Sequence, residues 1–300
     1  MAAIRAKLAA NKAKSQNRTA KTAGGEGSSF PFWNISDNSN ALIRLLPDGD
    51  TSNDYFWVKK ETIKLPFAGF TGENATTEDA HVSVTCPHTF GLKCPITDHI
   101  RPWWKGTDEE QALARVYYKK PSFIFHGFVV NSDLEEEGSD RHHLRRFNLN
   151  RTLFEAIETF IMDPEMEDMP TDLVNGRDFK IAKTKKGGFA NYATSAFSMR
   201  ERSLTDAEME VVNRGLPSLS DALGRKPDQD ELDMIAAMLL DSLAGKPFDT
   251  VAYGGLYRAY TKAGQASSLK APEVEAPAND DAKAKARELL EGIRNRSQNG

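Results

Sequence analysis

The chain has 300 residues, a formal net charge of −4 and a hydrophobic content of 39%. This length allows one large domain or two small ones with a buried core, and the mean hydropathy of −0.54 indicates that part of the chain is not packed. No apolar run approaches the ~18 residues that span a bilayer, which excludes an integral membrane protein built from helices.

The first 28 residues are expected to form a basic, flexible arm. Residues 1–22 hold six Lys and Arg residues and no acid, and a run rich in Gly and Ser follows them. The arm lacks the apolar stretch of a secretory signal. Two cysteines are too few for a disulfide framework, so we expect a reducing, cytoplasmic environment.

Short strands dominate the predicted structure of residues 29–204. Apolar runs bounded by turn residues predict strands over 41–46, 55–63, 81–86, 122–130 and 144–149. The runs 178–183 and 189–194 are predicted to pair across a turn at 185–188. Helical periodicity predicts helices over 108–114 and 152–161. This pattern favours a mainly β fold with α additions, as a small barrel or curled sheet.

Helices replace strands after residue 204. Thr205 and Glu208 have the spacing of a capping box that begins a helix. Apolar spacing from Leu232 to Leu243 predicts a second helix, which ends at Gly245. We therefore expect a helical extension of the core over residues 205–262, followed by a linker and tail over residues 263–300.

Both cysteines and three of the six histidines lie in or shortly after the third predicted strand. Thiolates and imidazoles at this density predict one structural Zn²⁺ that orders a short loop. Cys86, Cys94 and His99 supply three ligands, and either His88 or His81 supplies the fourth. Side chains alternate along a strand, so His81 and Cys86 should point to opposite faces, which favours His88. The alternative is two buried cysteines beside ordinary surface histidines.

Several runs combine aromatic and basic residues, a composition typical of surfaces that bind single-stranded nucleic acid. Rings stack on unpaired bases for about 1–3 kcal/mol each, and Lys and Arg follow the phosphates. The predicted contact residues are Trp57, Lys59, Lys60, Arg115, Tyr117, Tyr118, Lys119, Lys120, Arg145, Arg146, Lys185, Lys186, Phe189 and Tyr192. Strand alternation turns about half of such rings into the core, so burial is the alternative for any single one.

Patterns that indicate catalysis are weak, because neither a phosphate-binding loop nor a dinucleotide fingerprint is present. A second hypothesis is a metal-dependent nuclease that uses Asp140, His142 and His143. Adjacent residues on a strand point apart, which disfavours it. A third hypothesis is an interaction scaffold whose aromatic surface binds protein.

Five short segments occur in the order found in one known family. They are residues 41–47, 85–86, 94–96, 118–130 and 188–192. Through them the chain resembles the single-stranded-DNA-binding (helix-destabilising) proteins of T-even-like tailed bacteriophages. The resemblance implies an OB-fold core with a zinc-binding subdomain at about 60–105 and no catalytic activity. It also implies sequence-independent coating of DNA in phage replication, recombination and repair, in the cytoplasm of the infected bacterium.

The resemblance further implies partners and residue roles. The basic arm 1–28 would mediate cooperative self-association along DNA, and the tail would contact phage replication proteins. Lys119 and Lys120 match residues that contact the DNA backbone. The aromatic residues in cleft segments are Tyr117, Tyr118, Phe189 and Tyr192.

Two features depart from the family pattern. Thr97 occupies the position of a cysteine ligand, so the implied zinc set is the rearranged one of Cys86, His88, Cys94 and His99. Residues 273–300 hold six acids and five bases, so the tail is nearly neutral rather than strongly acidic. Recruitment of partners would then depend on a short terminal helix.

Overall fold

The computed structural model describes residues 28–134 and 143–267. The basic arm up to residue 27, the loop that holds Asp140 and His142, and the tail from residue 268 lie outside these ranges, so the predictions for them stay predictions. Within the described ranges, no helix is both long and apolar enough to cross a membrane.

Strands are the main element of the described ranges. In chain order they are β1 (Ser39–Leu45), β2 (Val58–Phe67), β3 (Ala80–Thr85), β4 (Lys120–Asn131), β5 (Arg145–Leu149), β6 (Arg177–Lys186), β7 (Phe189–Asn191), β8 (Ala196–Glu201) and β9 (Ala259–Thr261). The α-helices are α1 (Pro95–Ile100), α2 (Asp108–Val116), α3 (Arg151–Ile161), α4 (Asp206–Asn213) and α5 (Gln229–Leu243). The predicted mainly β fold with helical additions is therefore confirmed.

The chain divides into two compact units. The described part of the first comprises residues 28–59 and 122–222, and that of the second comprises residues 60–121 and 223–267. The predicted helical extension is divided between them, because α4 packs Val211 into an apolar cluster of the first unit, whereas α5 packs in the second. The second unit begins where the predicted subdomain begins.

The sheet of the first unit is built around β1. This strand pairs antiparallel with both β4 and β6, which places Leu45 opposite Gly127 and Ile43 opposite Phe179. β5 pairs with β4, and β7 and β8 pair with β6. A Cβ atom at Gly127 would lie 1.9 Å from the carbonyl oxygen of Arg44, so this close approach of two strands requires glycine.

Helix α3 closes one side of the core of this unit. The side chain of Asn150 accepts a hydrogen bond from the backbone N–H of Leu153 at 3.0 Å and so caps the helix. The predicted apolar stripe is buried at Leu153, Phe154 and Ile157. The Phe154 ring stacks on Phe123 of β4 with centroids 3.5 Å apart, which fixes the helix against the sheet.

A buried ion network joins β1, β6 and α4 in the same unit. Arg44 is fully buried and donates to Asp178 at 3.4 Å and to the carbonyl oxygen of Asp172 at 2.9 Å. Arg202 pairs with both Asp178 and Glu208 at 2.8 Å. Burial raises the pKa of Glu208, but the hydrogen bonds from Arg202 and Thr205 and the charge of Arg202 together outweigh burial and lower that pKa overall.

The second unit packs helices against a smaller antiparallel sheet. β3 pairs with β2 on one side and with β9 on the other. Helix α5 buries Ile235 and Met238 in the same apolar cluster that holds Cys86 and Cys94. The predicted metal segment is therefore part of this core, and it includes helix α1, with Pro95 at its first position.

Candidate nucleic-acid interface

The β6–β7 hairpin carries the most exposed aromatic ring of the described residues. Lys186 pairs with Phe189 across a two-residue turn, as the sequence predicted. Both turn residues, Gly187 and Gly188, have the positive φ that a type I′ turn requires, at 60° and 83°. This turn ends β6 and leaves the side chain of Phe189 80% exposed.

Basic residues lie on the same hairpin as this ring. Lys186 is exposed, and Lys185 is exposed while paired with Asp37 at 2.6 Å. The hydrogen bond from Lys185 lowers the pKa of Asp37. Lys183 donates to the carbonyl oxygen of Trp33 at 2.7 Å. The sequence interpretation did not include Trp33, which is 50% exposed.

The other predicted rings of the first unit are less accessible. Tyr192 is buried and packs edge-on against Phe32, with centroids 5.5 Å apart, which removes it from the rings that a base can reach. Trp57 is half-buried against Phe154. Its neighbour Tyr55 is exposed, with a centroid 4.8 Å from that of Trp57, and is better placed for stacking than either predicted ring.

The predicted arginines of β5 differ in position. Arg145 is buried, lies over the ring of Phe30 at 5.8 Å and donates to the carbonyl oxygen of Ser28 at 3.3 Å. It therefore fixes the segment that precedes β1 rather than presenting its charge to solvent. Arg146 alternates to the opposite side of the strand and is exposed.

Tyr117 and Tyr118 are adjacent in sequence but have opposite environments in the second unit. Tyr117 is buried, and its hydroxyl group lies 2.9 Å from that of Ser242, so its ring belongs to the core. Tyr118 is 45% exposed and packs edge-on against Trp104, with centroids 5.3 Å apart. Tyr118 and Trp104 thus form an exposed aromatic pair on this unit.

This aromatic pair borders a cavity of ≈ 230 Å³. The other lining residues are His88, Thr97, Ile100, Arg101 and Lys119. Arg101 is exposed and pairs with Asp98 at 2.5 Å. The cavity therefore combines exposed rings with basic side chains.

The remaining predicted basic residues lie mostly at the surface. Lys59, Arg115 and Lys120 are exposed, whereas Lys60 is half-buried. Lys119 is different, because its ammonium group donates to the carboxylate of Glu61 at 2.6 Å. Burial lowers the pKa of Lys119, but this ion pair outweighs burial and raises it.

The structure brings together only part of the predicted metal set. Within the described residues, Cys86, His88 and Glu61 each place one donor atom within 4.8 Å of the donor atoms of the other two. Neither Cys94 nor His99 belongs to this group. The sequence interpretation did not include Glu61, which precedes Cys86 by too many residues for any local spacing to reveal.

The other predicted ligands have different contacts. The hydrogen bond between the two thiol groups lowers the pKa of Cys94 to about 7 and raises that of Cys86. The ring of His99 packs edge-on against Trp103 at 5.3 Å. His81 lies on the side of β3 opposite its buried residues, as strand alternation predicted, and its ring faces Tyr260.

The residues of the nuclease hypothesis are only partly described. Asp140 and His142 lie outside the described ranges, and His143 is half-buried. The nuclease therefore stays an untested alternative.

A family model described as gp32 DNA binding protein like matches residues 37–227, which is more than half of the chain and covers both aromatic surfaces. No curated protein matched the chain.

Proposed function

Because this chain belongs to the gp32-like family of DNA-binding proteins, we propose that it coats single-stranded DNA without reading its sequence. The family resemblance drawn from the sequence is confirmed over the matched residues, and a DNA-binding role follows from it. The finer parts of the proposal are cooperative coating, a role in phage replication, recombination and repair in the infected cell, and the absence of catalysis.

The exposure of Phe189 is the observation that carries the proposal. A phenylalanine that is 80% exposed has little contact with the core to explain it, and two exposed lysines precede the turn that presents it. An unpaired nucleotide binds exposed aromatic rings and nearby cations, because every base has a flat face that can stack on a ring and every nucleotide carries a phosphate. The hairpin can therefore bind a strand of any sequence.

A second contact surface supports the same function in the other unit. Tyr118 and Trp104 offer two exposed rings, and Arg101 and Lys120 add positive charge near them. Neither ring is held in the apolar core of the unit. We assign Tyr118, Trp104 and Lys120 to the DNA interface, and we leave out Tyr117, Tyr192, Arg145 and Lys119 because their side chains are engaged within the protein.

The strand topology of the first unit supports an OB-fold. β1 pairs with β4 and β6, β5 follows β4, and α3 connects β5 to β6. An OB-fold is a partly open five-stranded barrel that binds oligonucleotides through its second and third strands and the loops after its first and fourth. If β1, β4, β5 and β6 are the first four strands of this barrel, the β6–β7 hairpin is the loop after the fourth strand. This position agrees with Phe189 as a contact residue.

The terminal segments complete the proposal. The basic arm 1–28 has the charge to contact DNA or an acidic face of the next copy, and we propose that it links neighbouring copies along the strand. The tail from residue 263 is proposed to contact replication proteins through its mixed-charge terminal stretch. The N-terminal arm would provide cooperativity in binding.

A substitution of Phe189 tests the interface. In the full-length protein, Phe189→Ala should weaken binding of a labelled oligo-dT by roughly fivefold to hundredfold, because one stacked base is worth about 1–3 kcal/mol. Fluorescence anisotropy at fixed salt measures the affinity. Circular dichroism checks that the fold is unchanged, as expected for a side chain outside the core.

Met199→Ala is the matched control. Met199 is also apolar and highly exposed, at 89%, but it lies on β8, outside the aromatic–basic runs. Its substitution should leave the affinity within about twofold of the parent. Equal affinities for the Phe189 and Met199 variants would remove the hairpin from the interface.

A further inference from the structure

Three groups that commonly bind metals meet in the second unit. Glu61 on β2, Cys86 after β3 and His88 in the following turn each place one donor atom within 4.8 Å of the others. Glu61 is 7% exposed and Cys86 is fully buried. Carboxylate, thiolate and imidazole are all zinc ligands, so a metal expected from the family must be compared with this cluster.

The ammonium group of Lys119 also lies at this cluster. Its Nζ atom donates to Oε2 of Glu61 at 2.6 Å and lies 3.1 Å from Nδ1 of His88. The first contact has the length of a strong charge-assisted hydrogen bond. A divalent ion bound to the same carboxylate would face this ammonium across a short distance, where partial burial weakens solvent screening and strengthens repulsion.

Both ring nitrogen atoms of His88 have partners. An ammonium group can only donate, so Nδ1 accepts from Lys119 and the ring proton lies on Nε2. Nε2 lies 3.4 Å from Oγ1 of Thr97, to which it donates, and Oγ1 donates to the carbonyl oxygen of Cys94 at 3.1 Å. In this tautomer the ring has no lone pair left for a metal ion.

The other two predicted zinc ligands do not complete the set. Cys94 is buried in the apolar cluster of this unit, and its carbonyl oxygen accepts from Thr97. His99 packs against Trp103. Within the described residues, the three-donor group contains neither, so the donors as folded do not fit a tetrahedral zinc ion.

We propose that the ammonium group of Lys119 is the resident cation of the Glu61–Cys86–His88 cluster and takes the place of a bound metal. It joins β2 to the turn after β3 through one ion pair and one hydrogen bond, and Thr97 extends the network to Cys94. This inference is independent of DNA binding, because it concerns what holds the second unit together.

The proposal predicts that removal of the ammonium creates a metal site. Lys119→Met keeps most of the side-chain length but removes the hydrogen bonds that Lys119 donates to the Glu61 carboxylate and to Nδ1 of His88, next to the thiol of Cys86. These groups form a three-donor zinc site of the open type. The variant should lose about 5 °C or more in Tm in the presence of a chelator, and added Zn²⁺ should raise its Tm again.

The experiment compares the full-length parent, Lys119→Met and the control Lys120→Met, whose substituted lysine is the exposed neighbour. Elemental analysis after expression with added zinc should find no stoichiometric zinc in the parent. Zinc and chelator should leave the Tm of the parent and of the control unchanged. Titration with Co²⁺ should produce thiolate-to-cobalt absorption only in Lys119→Met.

Two results would overturn the proposal. One is stoichiometric zinc in the parent that Cys86→Ser removes, and this result decides the matter even when Lys119→Met does not fold. The other is a Lys119→Met protein with the same Tm as Lys120→Met and no response to zinc. Either result would show that Lys119 is not the cation of the cluster.

Discussion

The substitution Asp178→Asn removes one negative charge from the buried ion network of the first unit while keeping the size of the side chain. Asp178 accepts hydrogen bonds from both Arg44 and Arg202. The side chain of Arg44 is 0% exposed. Without the carboxylate, this guanidinium keeps its charge inside the protein next to a second arginine, and water cannot solvate it.

The expected cost follows from that burial. Breaking a buried ion pair by removal of one partner costs about 3–5 kcal/mol. Arg44 retains two backbone carbonyl acceptors, at 2.9 and 2.7 Å, so we expect the lower end, about 3 kcal/mol. That loss corresponds to roughly 6–12 °C in Tm for units of this size. Urea unfolding at neutral pH, followed by circular dichroism, measures the free energy of unfolding.

Glu210→Gln is the control for this experiment. Glu210 also pairs with an arginine, Arg214 at 3.3 Å, but both side chains are exposed. An exposed pair contributes about 0–1 kcal/mol, so this variant should unfold almost as the parent does. Equal free energies of unfolding for the two variants would refute the view that the network stabilises the first unit through buried charge.

Two further predictions concern pH and a buried hydrogen bond. Arg202 lowers the pKa of Glu208 in the folded protein, so the stabilising contribution of Glu208 is present above its unfolded pKa of about 4.5 and is lost as pH falls through the folded pKa. Glu208→Gln should therefore make Tm less dependent on pH below about 4.5. A variant whose Tm depends on pH as steeply as that of the parent would contradict this. Tyr117→Phe should cost about 0.5–1.5 kcal/mol in urea unfolding because it removes the buried hydrogen bond that Tyr117 donates to Ser242, whose own hydroxyl still donates to the carbonyl oxygen of Pro66. Tyr118→Phe at the surface should be neutral, and equal costs would contradict the buried contact.

The elements that the sequence predicted well are those with local causes. The hairpin turn at Gly187 and Gly188 was predicted because adjacent glycines supply the positive φ that the turn requires. The capping box of Thr205 and Glu208 is present in both directions, as its spacing indicated. Each of these signals depends on residues no more than a few positions apart.

The candidate site was harder to predict because its contacts are distant in sequence. Lys119 meets Glu61 across 58 positions, and no local pattern indicates that one lysine of a basic pair is engaged in this way. Tyr117 and Tyr118 illustrate the same limit. They follow helix α2 rather than lie on a strand, so alternation could not decide which ring is buried, and the partner of Tyr117 is 125 positions away.

Zinc in the metal segment stays a prediction, but the packing of this segment shows what spacing could not. The density of Cys and His predicted zinc, and the alternative was two buried cysteines. The structure buries both thiols in an apolar cluster with Ile235 and Met238 of helix α5. Spacing alone could not reveal this, because the helix that covers the thiols lies more than 130 residues later in the sequence.

The most direct test of the proposed function is a salt titration of oligo-dT binding by the full-length protein. If basic side chains neutralise phosphates along a single strand, the logarithm of the affinity should fall linearly with the logarithm of the salt concentration, with a slope of about −0.7 for each phosphate neutralised. The oligonucleotide should remain intact in the presence of Mg²⁺. An affinity that does not change with salt, or cleavage of the strand, would contradict the proposed function.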